Sequence, residues 1–369
     1  MSRMVFVCFV DYQKAFNMAK HDKLVQVMKK AGIPELERRL IISLYWNQEA
    51  VVRTEGENSR SFAIKRGVRQ GCVISPVLFN LYSEFMIRDA LEGLRGVQMG
   101  GENITNLRYA DDAVLVADSR KKLQKMLNRL RDRCKVYGMA INVKKTKVMV
   151  ISKESNVQCR IMLGQDILEQ VSRYKYLGSW IMEDVRSVDE LIVRIAMAKT
   201  SFWQNKELMR GNIRMETKLK VLNCYVFSVL NYDCETWTWN KTMAKKVNAF
   251  EQWCYRRILK VSYVDRVSNK AILNRLHLEL HFERDMKRRK MEFAGHVLRR
   301  SSGETHLRLL EGKICGKRLR GRPRLMWIDD IRKWTNVGNY GTIKRFAEDR
   351  AKWSAMTINL LTEDNRMNT

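Results

Sequence analysis

The sequence predicts an α+β protein, with a mixed layer of strands and helices over residues 1–186 and a run of helices after it. Three observations carry that expectation. Val5–Val10, VFVCFV, is an unbroken apolar run of β-formers, which suits a strand buried on both faces of a sheet. Residues 107–117, LRYADDAVLVA, alternate apolar positions on either side of a tight turn, the pattern of a β-hairpin. From Ser187 onward apolar residues recur at helical spacing through 188–209, 214–230 and 243–260, and no alternation interrupts them.

Taken in order, the first strand ends at Asp11. A carboxylate there is costly to desolvate without a cation, so Asp11 is either a metal ligand or the N-cap of the helical stretch 14–30. A helix over 34–46 follows, and then a hairpin whose arms, 51–54 and 61–65, flank EGEN. In 66–80, RGVRQGCVISPVLFN, Gly67 and Gly71 permit close backbone approach. Ser75 and Pro76 read as the N-cap and first residue of a helix reaching Leu91, with Val77, Leu78, Leu81, Phe85 and Met86 as its core face. Gln70 and Gly71, just ahead of that helix, are placed to meet a ligand. The hairpin at 107–117 brings Asp111 and Asp112 to its tip, where adjacent acids repel unless cations lie between them, so the pair is either solvent-exposed turn chemistry or a divalent-metal site. Ser119 caps a helix with one apolar and one basic face, stopped by Gly138. Strands follow at 141–150, 157–163, 167–171 and 174–182. In the helical part, Phe202, Trp203, Tyr225, Phe227, Trp237, Trp239 and Trp253 read as core, with interleaved Lys and Arg leaving base stacking as the other role.

Composition narrows the partner. The 369 residues carry 69 Lys plus Arg against 40 Asp plus Glu, a net charge of +29, which points to a polyanion and to nucleic acid before a membrane. The most basic part is 277–334, and its RGRP stretch has the look of an arm along a phosphate backbone, with a nuclear localisation signal as the competing reading. Eight scattered cysteines without a CxxC pair read as reduced intracellular thiols. His277, His281, His296, His306 and Cys315 lack the usual zinc spacings. The apolar opening is broken by Asp11 and Lys14, so it is not read as a signal peptide, and no run reaches the ~20 residues of a membrane span. A nuclear or cytoplasmic address follows.

FVDYQKAF at 9–16, RQGCVISPVLFN at 69–80, YADD at 109–112, YGMAINVKKTK at 137–147 and YKYLG at 174–178 resemble, in order, motifs A to E of reverse transcriptases, and the similarity is greatest to the non-LTR, LINE-type enzymes. The stretches at 228–239, 249–269, 295–300 and 316–331 look like the thumb and C-terminal region of the RTE and BovB type. The resemblance implies a right-hand polymerase palm of antiparallel sheet backed by helices over 1–186, an α-helical thumb over 187–270, and a basic nucleic-acid-binding region over 271–369. It implies RNA-directed DNA polymerisation with deoxynucleoside triphosphates (dNTPs), an RNA template and a DNA primer or target. Asp11 and Asp111 would hold two magnesium ions, or manganese in their place, and Asp112 would complete the acidic cluster. Phe16 would be the steric gate against ribonucleotides. Gln70 and Gly71 would line the nucleotide and template, and Lys145 would lie near the triphosphate. Tyr176, Leu177 and Gly178 would form the primer grip, with Arg318, Arg320, Arg322 and Arg324 along the nucleic-acid backbone.

Two departures qualify the match. Asn17 stands where the pattern has Asp, outside the expected metal shell. The chain also opens at motif A, so most of the fingers and an upstream endonuclease are expected to be missing, and no RNase H segment is read. The alternative to a polymerase is therefore a truncated or host-recruited nucleic-acid-binding remnant without catalysis, or a fragment whose chemistry belongs to a longer parent. The sequence does not specify an oligomeric state.

Overall fold

The computed structural model describes residues 4–152, 154, 157–301, 303–312 and 325–367, with side chains to residue 360. The chain divides after Tyr174 into two compact units, and each has its own core.

The first unit is built on β1 (Val5–Val10), which lies inside a sheet. After it come α1 (Ala15–Met18), α2 (His21–Lys30) and α3 (Glu35–Tyr45). The helical stretch read over 14–30 is thus two helices, because Ala19 is extended (φ −58°, ψ 121°). Strands β2 (Gln48–Ala50) and β5 (Phe62–Ile64) pair around the smaller hairpin of β3 (Arg53–Thr54) and β4 (Glu57–Asn58). Next are α4 (Ser75–Leu91), the hairpin β6 (Val97–Met99) and β7 (Glu102–Ile104), then β8 (Asn106–Tyr109), β9 (Asp112–Ala117), α5 (Arg120–Tyr137), β10 (Lys147–Ile151), β11 (Met162–Leu163), β12 (Asp166–Ile167) and β13 (Glu169–Gln170). The sheet order is β13-β10-β1-β9-β8. Its pairs are antiparallel except β10 with β13.

Strand alternation explains how this unit packs. Cys8 and Val10 of β1, Ala113, Leu115 and Ala117 of β9, and Val148 and Val150 of β10 share a core with Leu78, Phe79, Tyr82 and Met86 of α4 and Leu123, Met126, Leu127 and Leu130 of α5. Each such Leu or Phe, fully buried, contributes about 1.5–3 kcal/mol. Val7 and Phe9, facing the other way, are buried too, so β1 is covered on both faces, as its composition implies. In α4 the expected core face holds at Leu78, Phe85 and Met86, but Val77 is 65% exposed. Ser75 is the first helical residue and not the cap, which is Ile74. Its hydroxyl instead lies 2.8 Å from that of Tyr45, a buried partner that outcompetes an N-terminal amide. Ser119 does cap α5, accepting from the Lys122 amide, and Gly138 closes it at φ 74°. The strand read from 141 begins only at Lys147, because 142–146 turn back on themselves through the Thr146 amide and Asn142 carbonyl at 2.9 Å.

The hairpin β14 (Arg173–Tyr176) and β15 (Ser179–Met182) begins at the end of the first unit and runs into the second, which continues in helices: α6 (Ser187–Gln204), α7 (Lys206–Arg210), α8 (Met215–Val221), a π-helical turn over Leu222–Phe227, α9 (Ser228–Asn231), a 3-10 turn over Cys234–Thr236, α10 (Lys241–Ile258), α11 (Asn269–Leu276), α12 (Phe282–Leu298), α13 (Glu304–Glu311), α14 (Trp327–Thr335), α15 (Tyr340–Glu348) and α16 (Arg350–Met367). The division falls inside β14, after Tyr174, so the hairpin tip and β15 group by compactness with these helices. One core joins α6, the π turn, α10 and the start of α12, and another joins the end of α12 with α14 and α15. Phe202, Phe227 and Trp237 are buried as expected, whereas Trp203 (41%) and Tyr225 (56%) are exposed. Part of the basic run 287–290 is structural, since Lys290 is buried against Asp330 at 2.5 Å. Among the described residues no helix is long and apolar enough to cross a membrane.

Candidate active site

Antiparallel pairing sets the geometry of the acidic residues. In the β1–β9 register Val10 faces Ala113, so one further step along both strands sets Asp11 opposite Asp112. In the β8–β9 hairpin Tyr109 pairs with Asp112, and Ala110 at the turn has φ 52°. The structure therefore brings Asp11, Asp111 and Asp112 together at one end of the sheet. Their mutual field is visible in Asp112, whose carboxyl is held above the usual carboxylate range by partial burial and then by the charges of Asp111 and Asp11.

Asp11 does not cap a helix, because the N-cap of α1 is Lys14 and no side chain caps it. Asp11 is held instead by the 142–146 turn. Its amide donates to Thr146 Oγ1 (3.2 Å), and its carbonyl accepts from the Asn142 amide (2.8 Å). Lys145 Nζ stands 4.0 Å from its Oδ2. Thr146 is fully buried. The NVKKTK stretch is thus a clamp on Asp11 as well as the carrier of Lys145. Sequence reading singled out Lys145 but missed Thr146 and Asn142, although both lie within the quoted motif.

Tyr174 was also missed. Its ring stacks on Phe9 with centroids 4.0 Å apart, and its hydroxyl is pushed up by burial and by the nearby charges of Asp112 and Asp11. Only its place in YKYLG could have signalled it.

Phe16 stacks on Phe79 of α4, with centroids 4.5 Å apart and planes at 23°. The RGV segment pins the backbone beneath it, since the Val68 amide donates to Phe16 O (2.8 Å) and the Gly67 amide to Ala19 O (2.7 Å). Gly67 sits at φ 96°, where a Cβ would meet the Asn17 backbone at 3.0 Å, so the glycine is needed for that approach. Gln70 and Gly71 are exposed between this segment and α4. Cys72, next in line, has its thiol drawn down to about 7 by the Tyr45 hydroxyl and the Ile74 amide.

Tyr176, Leu177 and Gly178 form the tip of the β14–β15 hairpin in the second unit, with Leu177 at φ 47° and Gly178 at φ 85°. Tyr232 donates to Leu177 O (2.6 Å). Arg318, Arg320, Arg322 and Arg324 lie outside the described residues.

Three carboxylates are hard oxygen donors, suited to Mg2+ or Mn2+. Among the described residues no group of three His, Cys, Asp or Glu side chains is gathered as a ready metal cage. That is compatible with Mg2+, which keeps several waters and takes one or two carboxylates plus substrate phosphates. The repulsion at Asp112 is the feature a cation would relieve.

Residues 2–181 match the family described as reverse transcriptase (RNA-dependent DNA polymerase). A transposon-derived protein of Caenorhabditis elegans is 28% identical over 277 residues, which are 70% of this chain and 97% of that protein. The Pol polyprotein of the type-2 retrotransposable element R2DM of Drosophila melanogaster is 26% identical over 185 residues, 48% of this chain but 17% of the polyprotein. An apo telomerase of Candida tropicalis aligns over 79% of this chain and 47% of its own, at 13% identity and a TM-score of 0.40.

Proposed function

Residues 2–181 belong to the reverse transcriptase family, with relatives among non-LTR retrotransposon polyproteins, and from that premise we propose that this chain is the catalytic part of an RNA-directed DNA polymerase. The observation that carries the proposal is the convergence of Asp11, Asp111 and Asp112, with the Asp112 carboxyl raised first by partial burial and then by the charges of Asp111 and Asp11. In this reading the palm spans 1–186, the thumb 187–270 and a basic nucleic-acid-binding region 271–369, within an element of the RTE or BovB type.

Asp11 and Asp111 would hold two magnesium ions, or manganese, with Asp112 beside them. Bound there, the ions would activate the primer 3'-hydroxyl and neutralise the departing pyrophosphate. The chain's own residues supply position. Asn142 and Thr146 hold the Asp11 backbone, and Lys145, already 4.0 Å from Asp11, would place its ammonium by the triphosphate. Phe16, fixed by its stack on Phe79, would press on the sugar 2' position and reject ribonucleotides. Gln70 and Gly71 would face the incoming dNTP and the template, and the 176–178 tip would hold the DNA primer. Arg318, Arg320, Arg322 and Arg324 would follow the backbone of the nucleic acid, supported by the net charge of +29.

The test is primer extension on an RNA template with Mg2+ and dNTPs, comparing the chain with its Asp111→Ala, Asp112→Ala double variant. Extension that disappears in the double variant supports the reading. Binding of the primed template by both, with extension by neither, would replace it with a non-catalytic nucleic-acid-binding remnant.

A further inference from the structure

Tyr263 and Val264, between α10 and α11, are 97% and 84% exposed, and the active-site reading does not use them. The loop that presents them is firmly tied. The Ser262 amide donates to Asp265 Oδ2 at 2.6 Å, and the Arg266 amide to Tyr263 O at 3.3 Å. Arg256 anchors the far limb through Val267 O (2.6 Å) and Asn269 Oδ1 (2.9 Å). Val261 and Val267 pack on the core below. An aromatic ring and a valine are therefore held out in water by a closed turn whose two ends are partly buried.

The surroundings are basic. Arg257, in the last turn of α10, and Lys260, just beyond its end, are both exposed. Arg257 rests over the rings of Trp203 (5.8 Å) and Trp253 (5.5 Å), and Lys199 over Trp253 (5.4 Å). A guanidinium stacked in this way keeps its edge donors available for phosphate. Arg266 adjoins the tip, and the one acidic residue in the loop, Asp265, is engaged by the Ser262 amide. Among the described residues Arg257, Lys260 and Arg266 form no ion pair.

We propose that this loop, with the Arg257 side of α10, is a binding site for single-stranded nucleic acid, in which the Tyr263 ring stacks on an unpaired base while Lys260, Arg266 and Arg257 contact phosphates. Stacking on an aromatic ring is tolerant of sequence, since every base has a π-face. Charge complementarity selects a polyanion over an apolar protein partner. The site lies within the proposed thumb but uses none of the residues placed at the metals, the nucleotide or the primer grip.

The test is fluorescence-anisotropy titration of the full chain with a labelled single-stranded RNA of mixed sequence. Tyr263→Ala is expected to weaken binding about five- to a hundredfold, the size of one lost base stack, with the salt dependence unchanged. Tyr263→Phe restores affinity, which excludes misfolding as the cause. Lys260→Gln with Arg266→Gln lowers the slope of log affinity against log salt by about 0.7 per charge removed. Binding by Tyr263→Ala indistinguishable from wild type overturns the proposal. So does an equal loss on a blunt duplex without unpaired bases, which would make the tip a backbone contact. The Asp111→Ala, Asp112→Ala variant is expected to keep this binding intact, so failure of the catalytic reading and failure of this one are separately visible.

Discussion

The guanidinium of Arg194 donates to the carbonyl oxygen of Gly178 at 2.6 Å, so a buried side chain of α6 fixes the tip of the hairpin proposed to hold the primer. The same guanidinium reaches Ser179 Oγ (3.3 Å) and Glu190 Oε1 (2.8 Å), while Glu190 Oε2 accepts from the Trp180 amide (2.9 Å). It also lies 4.5 Å over the ring of Tyr232, whose hydroxyl donates to Leu177 O. The left-handed residues at the tip thus have their carbonyls held from outside the hairpin.

Removing Arg194 leaves the Glu190 charge buried and unpaired. Arg194→Ala is expected to cost about 3–5 kcal/mol in urea unfolding. Arg194→Lys keeps the charge but not the fork, so it is expected to fold and to extend primers with a raised primer KM and little change in kcat at saturation. A kcat loss without a KM change in the lysine variant would detach Arg194 from primer placement.

Phe16 is the residue whose substitution separates specificity from folding. Its stack on Phe79 is worth about 0.5–1.5 kcal/mol beyond burial, so Phe16→Val is expected to unfold slightly earlier in urea. If Phe16 is the proposed gate, the larger expected effect is on sugar selection, because a smaller side chain would open room at the 2' position. Competition between ribo- and deoxyribonucleotides in primer extension reads it directly. Unchanged discrimination would remove Phe16 from the gate.

Legibility from sequence followed the reach of each interaction. β1, α4, α5 and the β8–β9 hairpin depend on local periodicity and caps, and the sequence announces them. The 142–146 clamp does not, because Thr146 and Asn142 meet Asp11 across more than a hundred residues and resemble ordinary turn formers. The π turn at Leu222–Phe227 leaves no periodic signature distinct from that of an α-helix. Ser75 has the local sequence of a cap, and its actual partner, Tyr45, lies thirty positions earlier. Lys290 looked like one more charge in a basic run, and only packing reveals that it is buried.

Cys72 is expected to be the most reactive described thiol near neutral pH. Its thiol sits at about 7, drawn down first by the Tyr45 hydroxyl, whereas burial lifts those of Cys8, Cys134 and Cys234 to about 12. The rate of alkylation by iodoacetamide, followed by peptide mass spectrometry, is expected to rise through pH 7 as the thiolate forms. Tyr45→Phe removes one stabilising donor and shifts that rise to higher pH. A rise near pH 9 in the wild-type chain would show that the Tyr45 contact does not form.

His281 supplies a pH dependence of stability. Its ring is 3.0 Å from Glu251, a fully buried carboxylate that also accepts from the Tyr255 hydroxyl and the amides of His281 and Phe282. The hydrogen bond to Glu251 raises the imidazole above 6.5, against the opposing effect of burial, and Asp285 adds to the rise. A raised folded-state value means the stabilisation is complete below 6.5 and is lost as pH climbs through that higher value. His281→Gln is therefore expected to lose stability relative to wild type in acid and to converge with it in mild alkali. Parallel urea midpoints across that range would contradict the pairing.

Lys290 and Asp330 test whether a buried pair here stabilises or merely specifies. Their contact is 2.5 Å and both are buried. Lys290 also donates to Trp237 O (2.7 Å) and lies over the rings of Trp327 and Trp334, while Asp330 accepts from the Trp239 amide (2.6 Å). Burial lowers the Lys290 ammonium's affinity for its proton more than Asp330 restores it, so desolvation is the larger effect at that nitrogen. Lys290→Met alone is expected to cost about 3–5 kcal/mol by stranding Asp330. Adding Asp330→Leu recovers part of that loss, because two apolar side chains avoid the charge penalty. Recovery stays incomplete, since the Trp237 carbonyl and Trp239 amide each lose a partner at about 1–3 kcal/mol apiece. Urea unfolding of the two single variants and the double closes the cycle, and full recovery would mean those backbone groups find water once the pair is gone.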